Sequence, residues 1–291
     1  MQTWNPCPAK SGCLAAFPII IDYFNYSLFT SQISPDDDDN IIAALEHPDR
    51  IRCLNLPVTK SLLEKVATVA QEPFLALTQL DLTFEGGSVS VLPIEFLGGS
   101  APRLREIQLR GIPFPTLPTL LSSASDLVHL YLHRMPHAGY ISPEVMVASL
   151  AALTRLNSLC IKFQSSTSRP DQSVISRRRA ASPTRVVLPA LTFFKFGGAS
   201  EYLEDLVARM DAPRLAVIET TYFNQLVSQV PQLFRLIGRT QIIEQTMDAV
   251  VYTTSSFVSL IFLPGPVDPS LSQISCRGLD WQVSHLDEVL S

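Results

Sequence analysis

Few residues in this 291-residue chain have the types and spacing that metal binding requires. Cys7 and Cys13 could supply two ligands of a zinc site, but no second Cys/His pair follows at zinc spacing. His129 and His133 would lie about 13 Å apart on a strand, which is too far to share a metal ion. We therefore expect neither a metal nor another cofactor.

Two runs of charged residues are candidates for a calcium-binding loop and for a nuclear-import or kinase site. The acidic run Asp36 to Asp39 lacks the glycine and the final glutamate of a calcium-binding loop. It precedes "IIAALEH", and acidic residues at that position favour the start of a helix. The basic "RRRAAS" at 177 to 182 fits a nuclear-import patch, a kinase site or a solvated loop, and we favour the loop.

No motif for nucleophilic or phosphate chemistry is present in the sequence. The glycine pairs at 86, 98 and 197 belong to neither G-x-G-x-x-G nor a phosphate-binding loop. The patterns G-x-S-x-G and H-E-x-x-H do not occur. We therefore predict a binding protein rather than an enzyme.

Composition narrows the class of partner and the compartment. A net charge of -5 and a pI near 5.5 lack the basic character of a general nucleic-acid binder. No apolar run approaches the ~18 residues of a membrane span, and the apolar "CLAAFPIIIDYF", interrupted by Asp22, is predicted to be buried structure. Five scattered cysteines favour a reducing compartment, either cytoplasmic or nuclear.

One pattern, apolar-x-x-apolar-x-apolar, recurs along the chain. It occurs as "IRCLNL" at 51, "LTQLDL" at 77, "LREIQL" at 104, "LVHLYL" at 127, "LNSLCI" at 156, "LTFFKF" at 191 and, in degenerate form, "LAVIET" at 215. Five of the six intervals fall within the ~20 to 29 residues of leucine-rich repeats. The longest interval contains a Ser/Arg/Pro-rich stretch that is typical of a solvated insertion.

Alternation within each hexad predicts a strand, and the spacers predict helices. We expect parallel strands at 53 to 57, 79 to 83, 106 to 110, 129 to 133, 158 to 162, 193 to 197 and 216 to 220. Helical spacing occurs at 61 to 70, 143 to 153, 201 to 210 and 223 to 237. Such units bury their apolar stripe only when stacked, which predicts an α/β fold: an irregular leucine-rich-repeat solenoid with strands on the concave face and helices and turns on the convex face.

The residues between the apolar hexad positions are the candidate binding residues. They would project from the concave sheet, and their mixed charge and aromatic content are typical of a protein-binding surface. A solvated sheet face is the alternative for each of them. The predicted binding patch comprises Arg110, Tyr131, His133, Lys162, Phe193 and Lys195.

The turn after each hexad lacks the asparagine or cysteine that leucine-rich repeats place three residues beyond the last apolar position. Glu85, Ile112 and Met135 occupy that position in three consecutive repeats. The turn backbone must therefore find other hydrogen-bond partners.

The phrases "FLGGSAPRLREIQLRGIPFPTLPTLL", "PHAGYISPEVMVASLAALTRL", "SEYLEDLVARMDAPRL" and "FNQLVSQVPQLFRLIGRT" resemble the leucine-rich region of fungal F-box proteins, from about Ile41 to Ser291. The resemblance implies target recognition within an SCF-type cullin-RING ubiquitin ligase, to which an F-box binds through the Skp adaptor. Residues 1–40 contain no F-box-like segment, so no residue is assigned to adaptor binding. A stand-alone interaction or decoy protein, or a truncated gene product without a ligase link, remains the alternative.

We accordingly predict three regions: an N-terminal segment at 1–40 without a recognisable F-box, a repeat region at 41–240 with an insertion at 164–185, and an irregular β-rich end at 241–291 that looks truncated. Within the last region "AVVYTTSSFVSLIFL" at 249 to 263 predicts a hairpin or two adjacent strands that close the array, and "DWQVSHLDEVL" predicts a helix.

Overall fold

The computed structural model describes residues 17–23, 35–84, 86, 91–165, 185–223, 230–240, 247–253 and 257–264. These residues form an α/β structure in which one large sheet is packed against helices. Eight parallel strands make up most of that sheet, so the predicted α/β class with parallel strands is confirmed.

The strands are β1 (Ile19–Asp22), β2 (Ile51–Val58), β3 (Gln79–Phe84), β4 (Glu106–Arg110), β5 (His129–Met135), β6 (Ser158–Phe163), β7 (Val186–Val187), β8 (Phe193–Gly198), β9 (Met210–Asp211), β10 (Val217–Phe223), β11 (Met247–Thr253) and β12 (Phe257–Pro264). The α-helices are α1 (Pro35–Leu45), α2 (Lys60–Val69), α3 (Leu117–Ser123), α4 (Pro143–Leu150), α5 (Ser200–Val207) and α6 (Pro231–Ile237), with 3-10 turns at Phe96–Gly99 and His137–Gly139.

Strand order in the large sheet follows chain order from β1 to β6 and continues through β8 and β10. β12 then pairs antiparallel with β10, and β11 pairs antiparallel with β12 at the edge. The predicted hairpin is thus confirmed. Strands β7 and β9 form a separate two-stranded sheet.

All seven hexads lie on the strands predicted for them, and the strands pair in register. Leu54, Leu80, Ile107, Leu130, Leu159, Phe194 and Ile218 are register partners on successive strands, and each is fully buried. One apolar row therefore runs across all seven strands and forms part of a single core. The degenerate seventh hexad places a threonine, Thr220, at a fully buried position.

Helices cover the apolar side of the sheet, and surface ion pairs link successive segments of the chain. Thr59 and Ser142 cap α2 and α4, with each hydroxyl accepting a hydrogen bond from a backbone N–H. Salt bridges join residues about one repeat apart: Lys65 to Asp38, Arg155 to Asp126 and Arg239 to Asp211. Such exposed pairs each contribute less than about 1 kcal/mol to stability.

Backbone bonds between repeats replace the missing polar ladder of the turns. Gly111 has a φ of 70° and donates its N–H to the carbonyl of His133 at 2.8 Å. Gln164 donates in the same way to the carbonyl of Met135 at 2.9 Å. The positions that usually carry asparagine therefore serve the core instead, with Ile112 and Met135 both buried.

Two local predictions were wrong. The N-terminal apolar segment contributes edge strand β1, on which Ile20 is 67% exposed, so only part of it is buried. The helix expected at 223 to 237 has residue 223 in β10, and its described part is α6, which begins at Pro231. The stretch "GIPFPTLP" turns from β4 into α3, whose first turn contains Pro118, a position where proline is tolerated because its missing N–H has no helical partner.

Several predictions fall outside the described residues. These are the body of the insertion at 166–184, most of the 1–40 segment, Glu85 and the helix expected from "DWQVSHLDEVL".

Candidate binding face of the sheet

The sheet surface opposite the buried apolar row carries the residues that alternate with it; we call this surface the polar face. Its central row consists of Asn55, Asp81, Gln108, Tyr131, Cys160, Lys195 and Glu219, each the register partner of the next. Parallel strands in register lie about 4.8 Å apart, so the row spans six intervals, or about 29 Å. Most of its side chains are partly exposed, whereas Cys160 is buried.

Three aromatic rings form a stack along β5 at the middle of the polar face. The ring centroids of His129 and Tyr131 lie 6.0 Å apart, and those of Tyr131 and His133 lie 6.1 Å apart. The interplanar angles are 7° and 17°. The same alternation on β5 that sends Leu130 and Leu132 into the core aligns these rings on the other side.

Four basic side chains gather around the carboxyl-terminal half of β5; we call Arg110, His133, Lys162 and Lys195 the basic cluster. Burial, with smaller effects from the charges of the other three, lowers the pKa of His133 to about 4. Burial also lowers the pKa of Lys162, with a smaller effect from Lys195. The stem of Lys162 lies over Gly197, where a Cβ would approach its Cγ to 3.2 Å.

Cys160 and His133 lie side by side within this cluster. The Sγ of Cys160 is 3.9 Å from Nδ1 of His133. Burial raises the pKa of Cys160 to about 11, so at neutral pH the thiol is protonated while the imidazole is neutral. A cysteine activated for nucleophilic attack has the opposite ionisation, with a thiolate beside an imidazolium.

Acidic residues occupy the other end of the polar face; we call Asp22, Asp81 and Glu106 the acidic cluster. Burial raises the pKa of Asp81 to about 6, with further contributions from Glu106 and Asp22, whereas a hydrogen bond from Thr83 and the charge of Arg110 oppose the rise. Asn55 donates its amide to Oδ1 of Asp22 at 2.9 Å. Among the described residues, Oδ1 of Asp81 and Oδ1 of Asn55 are buried without a hydrogen-bond partner.

The structure places the six predicted binding residues in three rows of one face. Arg110 pairs with His133, Tyr131 and Lys195 flank Cys160, and Phe193 pairs with Ser158. Lys162 pairs with Gly197 at the same end of the sheet as Arg110. Three other residues expected to project from this face are instead buried beneath their neighbours: Thr83, Ser158 and Cys160.

Sequence reasoning missed the acidic cluster and the contact between Cys160 and His133. The acidic residues come from strands β1, β3 and β4, and β1 was not predicted to be a strand. The hexads could have shown which residues lie side by side, because residues at the same position in successive hexads become register partners.

Two open cavities lie at the edge where the strands begin. One, of about 420 Å³, is lined by Arg52, Thr78, Arg103, Arg105 and Asp126. The other, of about 580 Å³, is lined by Val128, Thr154, Arg155, Asn157, Ala190, Thr192 and Arg214. Neither lies on the polar face.

In the part of the chain that the structure describes, no helix has the length and hydrophobicity to span a membrane. Over the same residues, no three His, Cys, Asp or Glu side chains are grouped so as to hold a metal ion. No protein-family model, curated protein or solved structure matches the chain.

Proposed function

We propose that this protein is a leucine-rich-repeat solenoid that binds another protein through the polar face. The observation that carries the proposal is the alignment of one polar residue from each of seven successive strands into a single row, backed by a continuous core. A stack of identical units curves when its strand side and helix side differ in width, so the polar face would be concave.

The chemistry of the polar face favours a protein partner. It combines acidic, basic and aromatic side chains, with Tyr131 and Arg110 near its centre. Tyrosine and arginine are the residue types that most often dominate protein interfaces. A nucleic-acid site would be expected to carry one sign of charge along its length, whereas this face carries both.

A role in ubiquitin ligation is the more specific proposal. It rests on the resemblance of the repeat region to fungal F-box proteins, in which the repeats select the target. The scattered cysteines support a cytoplasmic or nuclear location for such a protein. The alternative is a stand-alone interaction or decoy protein, and co-purification with the Skp adaptor distinguishes the two: retention of the adaptor would support the ligase role, and no retention would support the alternative.

The binding proposal is tested by affinity capture with the full chain and its variants. Tyr131→Ala combined with Arg110→Ala should lose the specific partner without loss of fold, because neither side chain belongs to the buried core. Arg105→Ala combined with Leu75→Ala is the matched control, since both residues are exposed and lie off the polar face. Partners retained equally by all three proteins would refute binding through this face.

A small-angle X-ray scattering profile tests the solenoid itself. We expect an elongated, curved particle. A profile that fits a sphere of the same mass would refute the proposed stacking.

A further inference from the structure

Apart from Glu219, which forms a salt bridge with Lys195, the two signs of charge are separated on the polar face. The acidic cluster lies on β1, β3 and the start of β4, whereas the basic cluster lies on the end of β4 and on β5, β6 and β8. β4 carries both signs, with Glu106 at its first position and Arg110 at its last. The boundary between the two clusters therefore crosses the sheet obliquely.

Two members of the basic cluster have no ionic partner in the described part of the chain. Among the described residues, Arg110 and Lys162 form no salt bridge, and the salt bridge made by Lys195 is to Glu219 on the far side. On the acidic side, Oδ1 of Asp81 accepts no hydrogen bond within the part of the chain described. Like charges held close together raise the free energy of the isolated protein, and a ligand of opposite charge removes that cost.

We propose that the polar face binds an extended protein segment of fixed polarity, with an acidic side chain over the basic cluster and a basic side chain over the acidic cluster. The proposal rests on the proposed function and specifies the chemistry of the partner. The partner is a protein, because a protein segment can present an acidic and a basic side chain within a short distance.

Spacing within the sheet defines the spacing within the partner. Asp81 on β3 and Lys162 on β6 are separated by three strands and by two residues along the strand direction, which is about 16 Å. An extended segment advances about 3.3 Å per residue, so its acidic and basic residues should be about four to five positions apart. The intervening residues would lie over the stacked rings of Tyr131 and His133.

A polyanion is the competing ligand for the basic cluster. Its phosphates would be repelled by the acidic cluster, so a polyanion could occupy only the part of the sheet that carries the basic cluster. Separate probes for the two ligands make this alternative an outcome of the test.

The test uses the full chain and fluorescence anisotropy at physiological ionic strength. The main probe is a fluorescein-labelled peptide with a lysine pair and a glutamate pair separated by about three Gly/Ser residues, a gap set by the strand spacing. Peptides with glutamate pairs alone or lysine pairs alone, and a single-stranded oligonucleotide, are the comparison probes.

Two double variants with the same change in net charge distinguish an effect of the basic cluster from an effect of net charge alone. Arg110→Glu with Lys162→Glu alters the basic cluster, and Arg52→Glu with Arg105→Glu alters the strand-start edge away from the polar face. We expect the first variant to bind the two-sign peptide at least about tenfold more weakly and the second to bind like the unaltered chain. Glu106→Lys should weaken the same peptide and strengthen the glutamate-only peptide.

Three results would overturn the proposal: no binding of the two-sign peptide by the unaltered chain, equal loss in both double variants, or tighter binding of the oligonucleotide. The first of these leaves protein binding intact if Tyr131→Ala with Arg110→Ala still loses a captured partner. Failure of the charge polarity and failure of the proposed function are thus distinguishable.

Discussion

Arg110 and His133 occupy paired positions on the adjacent parallel strands β4 and β5. The guanidinium therefore adds a positive charge beside an imidazole that burial already keeps neutral. The lysines at 162 and 195 act in the same direction, so a proton on His133 is unfavourable in the folded protein.

This arrangement predicts loss of stability in mild acid. His133 has a folded pKa of about 4 against an ordinary 6.5, so between these values the unfolded chain binds more protons and stability falls as the pH falls. His133→Asn should reduce the drop in the free energy of unfolding between pH 7 and pH 4, measured by urea denaturation. A variant with the same drop as the unaltered chain would contradict the assigned cause.

For Asp81 we predict that stability depends on pH with the opposite sign, over a pH range that overlaps that of His133. Its folded pKa of about 6 exceeds the ordinary 3.8, so the folded chain binds more protons between these values and stability falls as the pH rises through them. Asp81→Asn should therefore stabilise the protein above pH 6, and the gain should disappear towards pH 4. The exposed Asp49→Asn is the control, and an equal gain from it would contradict the prediction.

Leu130→Ala should destabilise strongly, by about 2 to 5 kcal/mol, because it opens a cavity that the adjacent repeats cannot close. Leu130 is fully buried between Ile107 and Leu159 in the apolar row. Leu75→Ala is the matched control, since Leu75 is 57% exposed. Chemical denaturation should separate the two variants clearly, and similar values for both would be inconsistent with a continuous core.

Deletion of residues 166–184 should be much milder than Leu130→Ala. The segment is Ser/Arg-rich with few large apolar residues, so its loss should remove little of the core. Thermal melts of the deletion variant test this. If the deletion proves the more damaging change, the insertion contributes to the core.

Glu204 on α5 caps the start of the neighbouring helix α6, so we expect its side chain to stabilise the packing of the two helices. Its carboxylate accepts hydrogen bonds from the backbone N–H groups of Gln232 at 2.8 Å and Leu233 at 3.0 Å, at the first turn of α6. Glu204→Ala should therefore cost about 0.5 to 2 kcal/mol, as loss of a helix cap does. Glu46→Ala, at an exposed position, should change the free energy of unfolding little, and equal effects would contradict the capping role.

Much of the sheet could be predicted because its signal is local. Each hexad alternates apolar and polar residues, and an apolar row such as Leu80 to Ile107 follows from equal positions in successive hexads. Helix boundaries were predicted less well. At α6 the apolar residues of β10 and of the helix run together in the sequence, and helical spacing alone did not locate the change at Pro231.

The sequence by itself determined the repeat, the strands and the residues that alternate with the core, since these depend on side-chain periodicity within a few residues of chain. Only the tertiary structure decided which of those residues share an environment. Asp22, Asp81 and Glu106 come from three separate strands, and His133 meets Cys160 from the adjacent strand. Protonation depends on burial and on charges brought together across strands, so the altered pKa values of Asp81 and His133 arise only once the strands are in register.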